Sequence, residues 1–143
     1  MKKIIFSLIT GVLVLGLLYG CDRQSDQAST DEIKIGVILG FTGPIESLTP
    51  TMASSAELAM KEVSDSGLLL GGAKVSSVRA DSTCIDAGAA TSAAERLVTS
   101  DNVAAIMGAD CSGVTTAIAN NVAVPNGVTI ISPSATSPAL TDI

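Results

Sequence analysis

From Glu32 onward, short runs rich in β-branched residues alternate with alanine-rich stretches of helical length, and this alternation constrains the fold most. Nearly every position from Ile35 to Leu39 is apolar, which is typical of a strand buried on both faces of a parallel sheet. The pattern predicts four strands and three helices in strict alternation. The strands lie at 33–39, 74–80, 103–107 and 128–132, and the helices at 51–66, 86–100 and 113–122.

Apolar periodicity and capping residues orient the first two helices. Gly67 is suited to end the first helix, and Asp86 can cap the start of the second. The core-facing side of the first helix is predicted to carry Met52, Ala56, Ala59, Met60 and Val63. That of the second is predicted to carry Ala90, Ala93, Ala94, Leu97 and Val98.

The element order predicts an α/β fold, in which a parallel sheet with right-handed crossovers forms the middle layer of a three-layer αβα arrangement. Ligands of such sheets bind outside the carboxyl ends of the strands. Those ends are followed here by turns at 41–44, 82–84, 108–113 and 132–137, all rich in glycine or hydroxyl residues. The turns either line a ligand crevice or simply connect elements, because connecting turns also need Gly, Ser and Pro. Their composition alone leaves both readings open.

The N-terminus has the pattern of an export signal. Lys2 and Lys3 precede an apolar run over 4–18 that is shorter than the roughly 20 residues a membrane span requires. The run ends in Leu18-Tyr19-Gly20-Cys21, which resembles the bacterial lipobox. We therefore expect residues 1–20 to be a lipoprotein signal peptide and Cys21 to be the lipidated first residue. The alternative is an ordinary secretory signal with an incidental cysteine.

A polar segment separates Cys21 from the first strand. Residues 22–32 contain no apolar side chain larger than alanine, so they cannot bury enough surface to offset their ordering entropy. Residues 21–32 are therefore predicted to be a lipidated cysteine and a flexible tether. Acyl chains at Cys21 would hold the protein on a cell membrane, facing the periplasm or the cell exterior.

Charge and composition exclude several functions. Eight Lys and Arg face fourteen Asp and Glu, so the chain is acidic and nucleic acid is excluded as a partner. The sequence has no histidine, which rules out imidazole metal sites and histidine-dependent triads or dyads. An enzyme using Cys84 or Cys111 as nucleophile is disfavoured, because exported cysteine pairs are more often oxidised. We expect no cofactor, no metal and no catalytic residue.

Four segments, in order, resemble the first lobe of the leucine/isoleucine/valine-binding protein family, the solute-binding subunits of branched-chain amino acid ABC transporters. They are 33–37 with 41–44, then 81–84, then 106–108 leading to Cys111-Ser112, and finally 130–141. The resemblance covers 32–143 and implies the type I periplasmic binding fold. It also implies an amino-acid-like ligand and a transporter permease as partners. A ligand sensor that signals to a membrane receptor is the alternative on the same fold.

The resemblance also assigns the ligand site. Ser112 stands where a hydroxyl and a backbone N–H receive the ligand carboxylate, and a helix N-terminus there would favour an anion. Ser134 stands where a carbonyl accepts from the ammonium group, followed by Ala135 and by Thr136, whose hydroxyl and N–H complete the site. The competing interpretation of Ser112 is a cap that serves only its own helix.

Two further expectations follow. Cys84 and Cys111 are predicted to form a disulfide, because both follow strands expected to be neighbours and the family pairs these positions. Ile143 stands where the family crosses into a second lobe, so residues 33–143 are expected to be a partial N-terminal lobe with the second lobe absent. Leu48 lies near the place where the family often has an aromatic residue over the ligand side chain.

Replacing the lipobox cysteine tests the predicted anchor. Cys21→Ser expressed in a bacterium should give soluble or unprocessed protein, because serine has no thiol to accept the lipid. Membrane fractionation and mass analysis of the mature N-terminus measure this. Normal processing with unchanged membrane association would contradict the prediction.

Overall fold

The computed structural model describes residues 32–143, so the predictions for residues 1–31 lie outside it. The strands are β1, β2, β3 and β4, at Glu32–Leu39, Lys74–Asp81, Ala105–Gly108 and Thr129–Ile131. The helices are α1, α2 and α3, at Thr49–Ser66, Ala87–Thr99 and Ser112–Ile118. α3 continues through a π-helical segment, Ala119–Ala123, into a last α-helical turn, Val124–Asn126. Short 3₁₀ segments lie at Leu69–Gly71 and Pro138–Asp142.

The four strands form one sheet in the order β2-β1-β3-β4, and every neighbouring pair is parallel. β1 pairs with β2 along its whole length, from Glu32 opposite Lys74 to Leu39 opposite Asp81. On its other side β1 pairs with β3, which pairs with β4. The predicted parallel α/β sheet is confirmed, and the carboxyl ends of all four strands lie at one edge.

Helices cover both faces of the sheet. On one face, Ile38 and Ile106 pack with residues of α2 and α3 in a cluster that includes Ala90, Ala94, Leu97, Val114 and Ile118. On the other face, Val37 and Leu39 pack against Ala53 of α1, with Met52 and Met60 beside them. The three-layer αβα arrangement is therefore confirmed, and so is the inward face predicted for α2.

The inward face predicted for α1 is partly wrong. Val63 is 42% exposed, whereas Thr49 and Ser64 are buried. The Thr49 hydroxyl donates to the Gly40 carbonyl, and the Ser64 Oγ accepts from the N–H of Val75. Polar side chains at both ends of α1 thus bond to the backbone around the strands, and they are buried where apolar periodicity predicted no inward-facing residue.

Gly108 is required where β3 approaches β1. Its φ is 131°, and a Cβ at this position would lie 1.9 Å from the carbonyl oxygen of Ile38. Side chains are excluded from such a contact, so only glycine lets β3 end against β1. The chain then turns into Ala109 and Asp110, both buried.

A disulfide joins Cys84, after β2, to Cys111, after β3. The Cα atoms are 5.2 Å apart, within the range that a disulfide requires. β2 and β3 are not adjacent, because β1 lies between them. The predicted pairing is present, but the bridge passes over the end of β1 rather than joining neighbouring strands.

The part of the chain that the structure describes contains no helix with the length and apolar character needed to span a bilayer.

Opening the disulfide should destabilise the lobe. The two cysteines are 27 residues apart in sequence, and closing a loop of this size contributes roughly 3–4 kcal/mol in the chain-entropy model. The double variant Cys84→Ser/Cys111→Ser should lose about that much free energy of unfolding in urea titrations. Wild-type protein in dithiothreitol should match it, and a wild-type midpoint that is insensitive to the reductant would contradict the prediction.

Candidate functional site

Three strand-end turns meet at the carboxylate of Asp110, which is 3% exposed. Oδ2 accepts from the backbone N–H of Gly40 at 2.7 Å, just after β1. Oδ1 accepts from the Ser82 hydroxyl at 3.2 Å, just after β2, and from the N–H of Cys111 at 3.0 Å. The Asp110 side chain, after β3, therefore bonds to the ends of β1 and β2 and to the residue that precedes α3.

The turn after β4 is held against the same edge by serine hydroxyls. Ser132 donates to the carbonyl of Ala109, and its Oγ accepts from the N–H of Ala135 at 2.8 Å. Ser134 donates to the carbonyl of Asp110 at 2.8 Å. These bonds cross from β4 to the segment that follows β3, so the two turns form one surface.

Ser112 is the first residue of α3, and Cys111 before it is the N-cap residue. The Ser112 Oγ accepts from the backbone N–H groups of Thr136 and Ser137, both at 3.1 Å. The interpretation of Ser112 as a cap serving only its own helix is therefore wrong. Its hydroxyl connects the start of α3 to the turn after β4.

These two hydrogen bonds leave the Ser112 hydroxyl only its proton for a further hydrogen bond. A serine hydroxyl has two acceptor lone pairs and one proton to donate. The two N–H groups from the β4 turn occupy both lone pairs, so any further partner must accept the proton. The Ser112 hydroxyl is thus set to donate to an electron-rich atom such as a carboxylate oxygen.

The residues predicted to bind ligand do come together. Ser112 and Ala135 are half-buried, whereas Ser134 and Thr136 are exposed, and hydrogen bonds connect all four to the edge after β3 and β4. The Thr136 N–H already donates to Ser112, which leaves the exposed Thr136 hydroxyl as the group of that residue facing solvent.

Sequence reasoning missed Asp110. The sequence signal was available, since a single acidic residue lies in the turn two positions after the end of β3. Acidic residues are almost never fully buried unless they are paired, so position in the sequence alone does not indicate that Asp110 is buried. Thr49 was also missed, because apolar periodicity does not indicate that its hydroxyl donates to the carbonyl of Gly40.

The turn after β1 is fixed by polar contacts with β2. The Thr42 hydroxyl and N–H donate to the carboxylate of Asp81, which also accepts from the N–H of Thr83. Burial opposes ionisation of Asp81, but these hydrogen bonds outweigh it and hold the pKa of its carboxyl below the usual range. The guanidinium of Arg79 lies 5.5 Å from the ring centroid of Phe41.

A groove of about 330 Å³ lies elsewhere, between α1 and β2. Three of its four charged lining residues already have partners: Glu57 pairs with Arg79, Lys61 with Asp65, and Lys74 donates to the carbonyl of Ser64. The hydrogen bond from Arg79, against the opposing effect of burial, lowers the pKa of Glu57. This self-paired groove offers a ligand less than the edge around Ser112.

Within residues 32–143, no three Cys, Asp or Glu side chains come close enough to hold a metal ion. The two described cysteines are joined to each other, so neither presents a free thiol. The polar groups at the strand ends are hydroxyls, backbone N–H and carbonyl groups and carboxylates, all of which form hydrogen bonds.

Curated relatives of known function match most of the chain. The Leu/Ile/Val-binding protein of Escherichia coli is 30% identical over 127 residues, which cover 87% of this chain and 34% of that protein. The leucine-specific-binding protein of Salmonella typhimurium is 28% identical over 141 residues, covering 99% of this chain and 35% of that protein. The chain thus spans about a third of the length of these relatives.

Solved structures match the fold as well. The branched-chain amino acid transporter substrate-binding protein LivJ of Streptococcus pneumoniae, in complex with isoleucine, superposes with a TM-score of 0.70 at 33% identity. That match covers 78% of this chain and 31% of that one. An ABC transporter substrate-binding protein of Desulfitobacterium hafniense, in complex with leucine, gives a TM-score of 0.67 at 30% identity, covering 78% and 31%.

A family model for periplasmic binding proteins matches residues 32–142, almost the whole described part of the chain. This is a family of solute-binding proteins rather than enzymes, and its Leu/Ile/Val-binding members are the ones that the sequence motifs resemble. Together with the parallel sheet, these matches show that the chain belongs to the periplasmic binding protein family.

Proposed function

We propose that the chain is the first part of a lipid-anchored, extracytoplasmic solute-binding subunit of an ABC transporter, and that its ligand is a branched-chain amino acid or a similar amino-acid-like molecule. The observation that carries this proposal is the Ser112 hydroxyl, whose lone pairs are both occupied and whose proton is left to donate. An amino acid always carries a carboxylate able to accept it. The isoleucine and leucine complexes of two similar proteins support this ligand class.

The ligand carboxylate would bind at Ser112, and the ammonium group at the turn after β4. Ser134 uses its hydroxyl to hold that turn to Asp110, so its backbone carbonyl is the group proposed to accept from the ammonium. Ala135 and Thr136 would complete the contact, with the exposed Thr136 hydroxyl closing one side. Charge-assisted hydrogen bonds of this kind are about twice as strong as neutral ones.

A full-length binding protein would complete the site with residues that lie beyond the third of its length matched by this chain. Because ligands of clamshell binding proteins are enclosed between two lobes, one lobe alone would leave half of the ligand in water. Specificity for the side chain would then depend mostly on residues outside this chain. The permease would bind the closed, loaded form.

The lipid anchor rests on the sequence alone. The lipobox-like Leu18-Tyr19-Gly20-Cys21, followed by a polar segment, supports attachment at Cys21 and a location on the outer side of a cell membrane. Such an anchor would keep the binding protein close to its membrane permease, because tethering raises the effective concentration of one partner near the other.

Removing the Ser112 hydroxyl tests the carboxylate assignment. Ser112→Ala in the full-length protein should weaken leucine or isoleucine binding by roughly ten- to a hundredfold, because a hydrogen bond to a charged group contributes about 1.5–3 kcal/mol. Calorimetric titration of the purified protein measures this change.

Ser54→Ala is the matched control, since Ser54 is an exposed serine of α1 whose hydroxyl donates only to the carbonyl of Pro50. It should leave the affinity unchanged, and Ser112→Thr should retain part of it by restoring a hydroxyl. Equal affinities of wild-type protein and Ser112→Ala would refute the assignment. A wild-type protein that binds no amino acid would refute the proposed function.

A further inference from the structure

The carboxylate of Asp110 is a buried charge whose three partners are all donors. The N–H groups of Gly40 and Cys111 and the hydroxyl of Ser82 donate to it, an arrangement that suits the ionised, acceptor-only carboxylate. These groups are neutral, so they satisfy its hydrogen bonds without cancelling its charge. Buried charges in proteins are normally paired with a charge of opposite sign.

Each lysine and arginine among residues 32–143 is engaged away from Asp110. Three of them form ion pairs: Lys61 with Asp65, Arg79 with Glu57, and Arg96 with Asp101. The other two donate to backbone carbonyls, Lys34 to that of Asp101 and Lys74 to that of Ser64. The described part of the chain therefore supplies no cation to Asp110.

Asp110 is connected to two residues of the proposed ligand site. Its backbone carbonyl accepts from the Ser134 hydroxyl, and Ser112 follows it by two residues. A charge so placed acts on a ligand over a short distance and through a medium less polar than water, where charge–charge interactions are several times stronger than in bulk solvent.

We propose that Asp110 is a specificity-determining residue, whose buried negative charge selects ligands that carry an ammonium group beside their carboxylate. This inference rests on the proposed function and deepens it. A carboxylate bound at Ser112 is repelled by Asp110, and an ammonium group on the same ligand offsets the repulsion. A simple carboxylic acid has no such group, so it binds more weakly even when its side chain fits.

The selection concerns charge rather than side-chain shape. L-Leucine and 4-methylpentanoate have the same side chain and carboxylate, and the second has a hydrogen where the first has its ammonium group. The ratio of their dissociation constants therefore measures how much the ammonium group contributes to the affinity. The Asp110 side chain bonds to Gly40, Ser82 and Cys111 and not to the turn after β4 that is proposed to hold the ammonium group. If it only held these other segments together, its loss would change both affinities by the same factor and leave the ratio unchanged.

The experiment measures the dissociation constants of both ligands by calorimetry, in the full-length wild-type protein and in its Asp110→Asn variant. The asparagine has nearly the same shape and no charge, so the preference for leucine should narrow by about tenfold, the order of magnitude expected when one charge–charge interaction in a medium less polar than water is lost. Thermal unfolding checks that the variant is folded. Should Asp110→Asn not fold, Asp110→Ser takes its place, since its hydroxyl can still accept from a neighbouring N–H.

Asp86→Asn is the matched control. Asp86 caps α2 at the same edge of the sheet by accepting from the N–H of Ala89, and asparagine caps as well as aspartate. Removing this charge should leave the ratio unchanged. A narrowed ratio in Asp110→Asn alone supports the proposal. A retained ratio, with or without an equal loss of affinity for both ligands, would overturn the proposal, and so would the same narrowing in Asp86→Asn. A wild-type protein that binds no amino acid would instead overturn the proposed function.

Discussion

The parallel pairing of β1 with both β2 and β3 is the constraint on which the rest of the structure depends. Because all strands run in one direction, residues far apart in sequence end at the same edge. Gly40 and Asp110, separated by 70 positions, meet there at 2.7 Å. Gly108 makes the approach possible, since any side chain would collide with the carbonyl of Ile38. The three turns meet only if this register holds, because a shift of one residue would turn every side chain of a strand to the opposite face.

The edge itself is held by polar contacts rather than by apolar packing. Within residues 32–143, every buried side-chain nitrogen or oxygen has a hydrogen-bond partner. An unpaired buried group would cost about 1–3 kcal/mol, so a network of this kind is stable only when it is complete. The disulfide at Cys111 and the carboxylate at Asp110 both join the end of β2 to the segment after β3. Two adjacent residues thus fix the same pair of turns, one by a covalent bond and one by hydrogen bonds.

Apolar pattern predicted the sheet and the inward face of α2, because burial there follows from Ala90, Ala94 and Leu97 at helical spacing. It failed where polar groups decide the packing. Thr49 is buried because its hydroxyl satisfies a strand-end carbonyl, a contact that periodicity does not encode. Asp110 was missed for the same reason, since its partners come from turns that only the folded sheet brings together. The motifs located Ser112, but only the geometry revealed that its lone pairs are occupied.

The scarcity of aromatic residues, 2% of the chain, has a counterpart in how the edge is built. Its groups are backbone N–H and carbonyl groups, serine and threonine hydroxyls and aspartate carboxylates, carried by small residues that let a ligand come close. Such groups match the carboxylate and ammonium that all amino acids share. Discrimination between side chains needs apolar walls that exclude water. Ser112, Ser134 and Thr136 provide none, so under the proposed function this surface would hold the part that all amino acids share, and Asp110 would select for the ammonium charge.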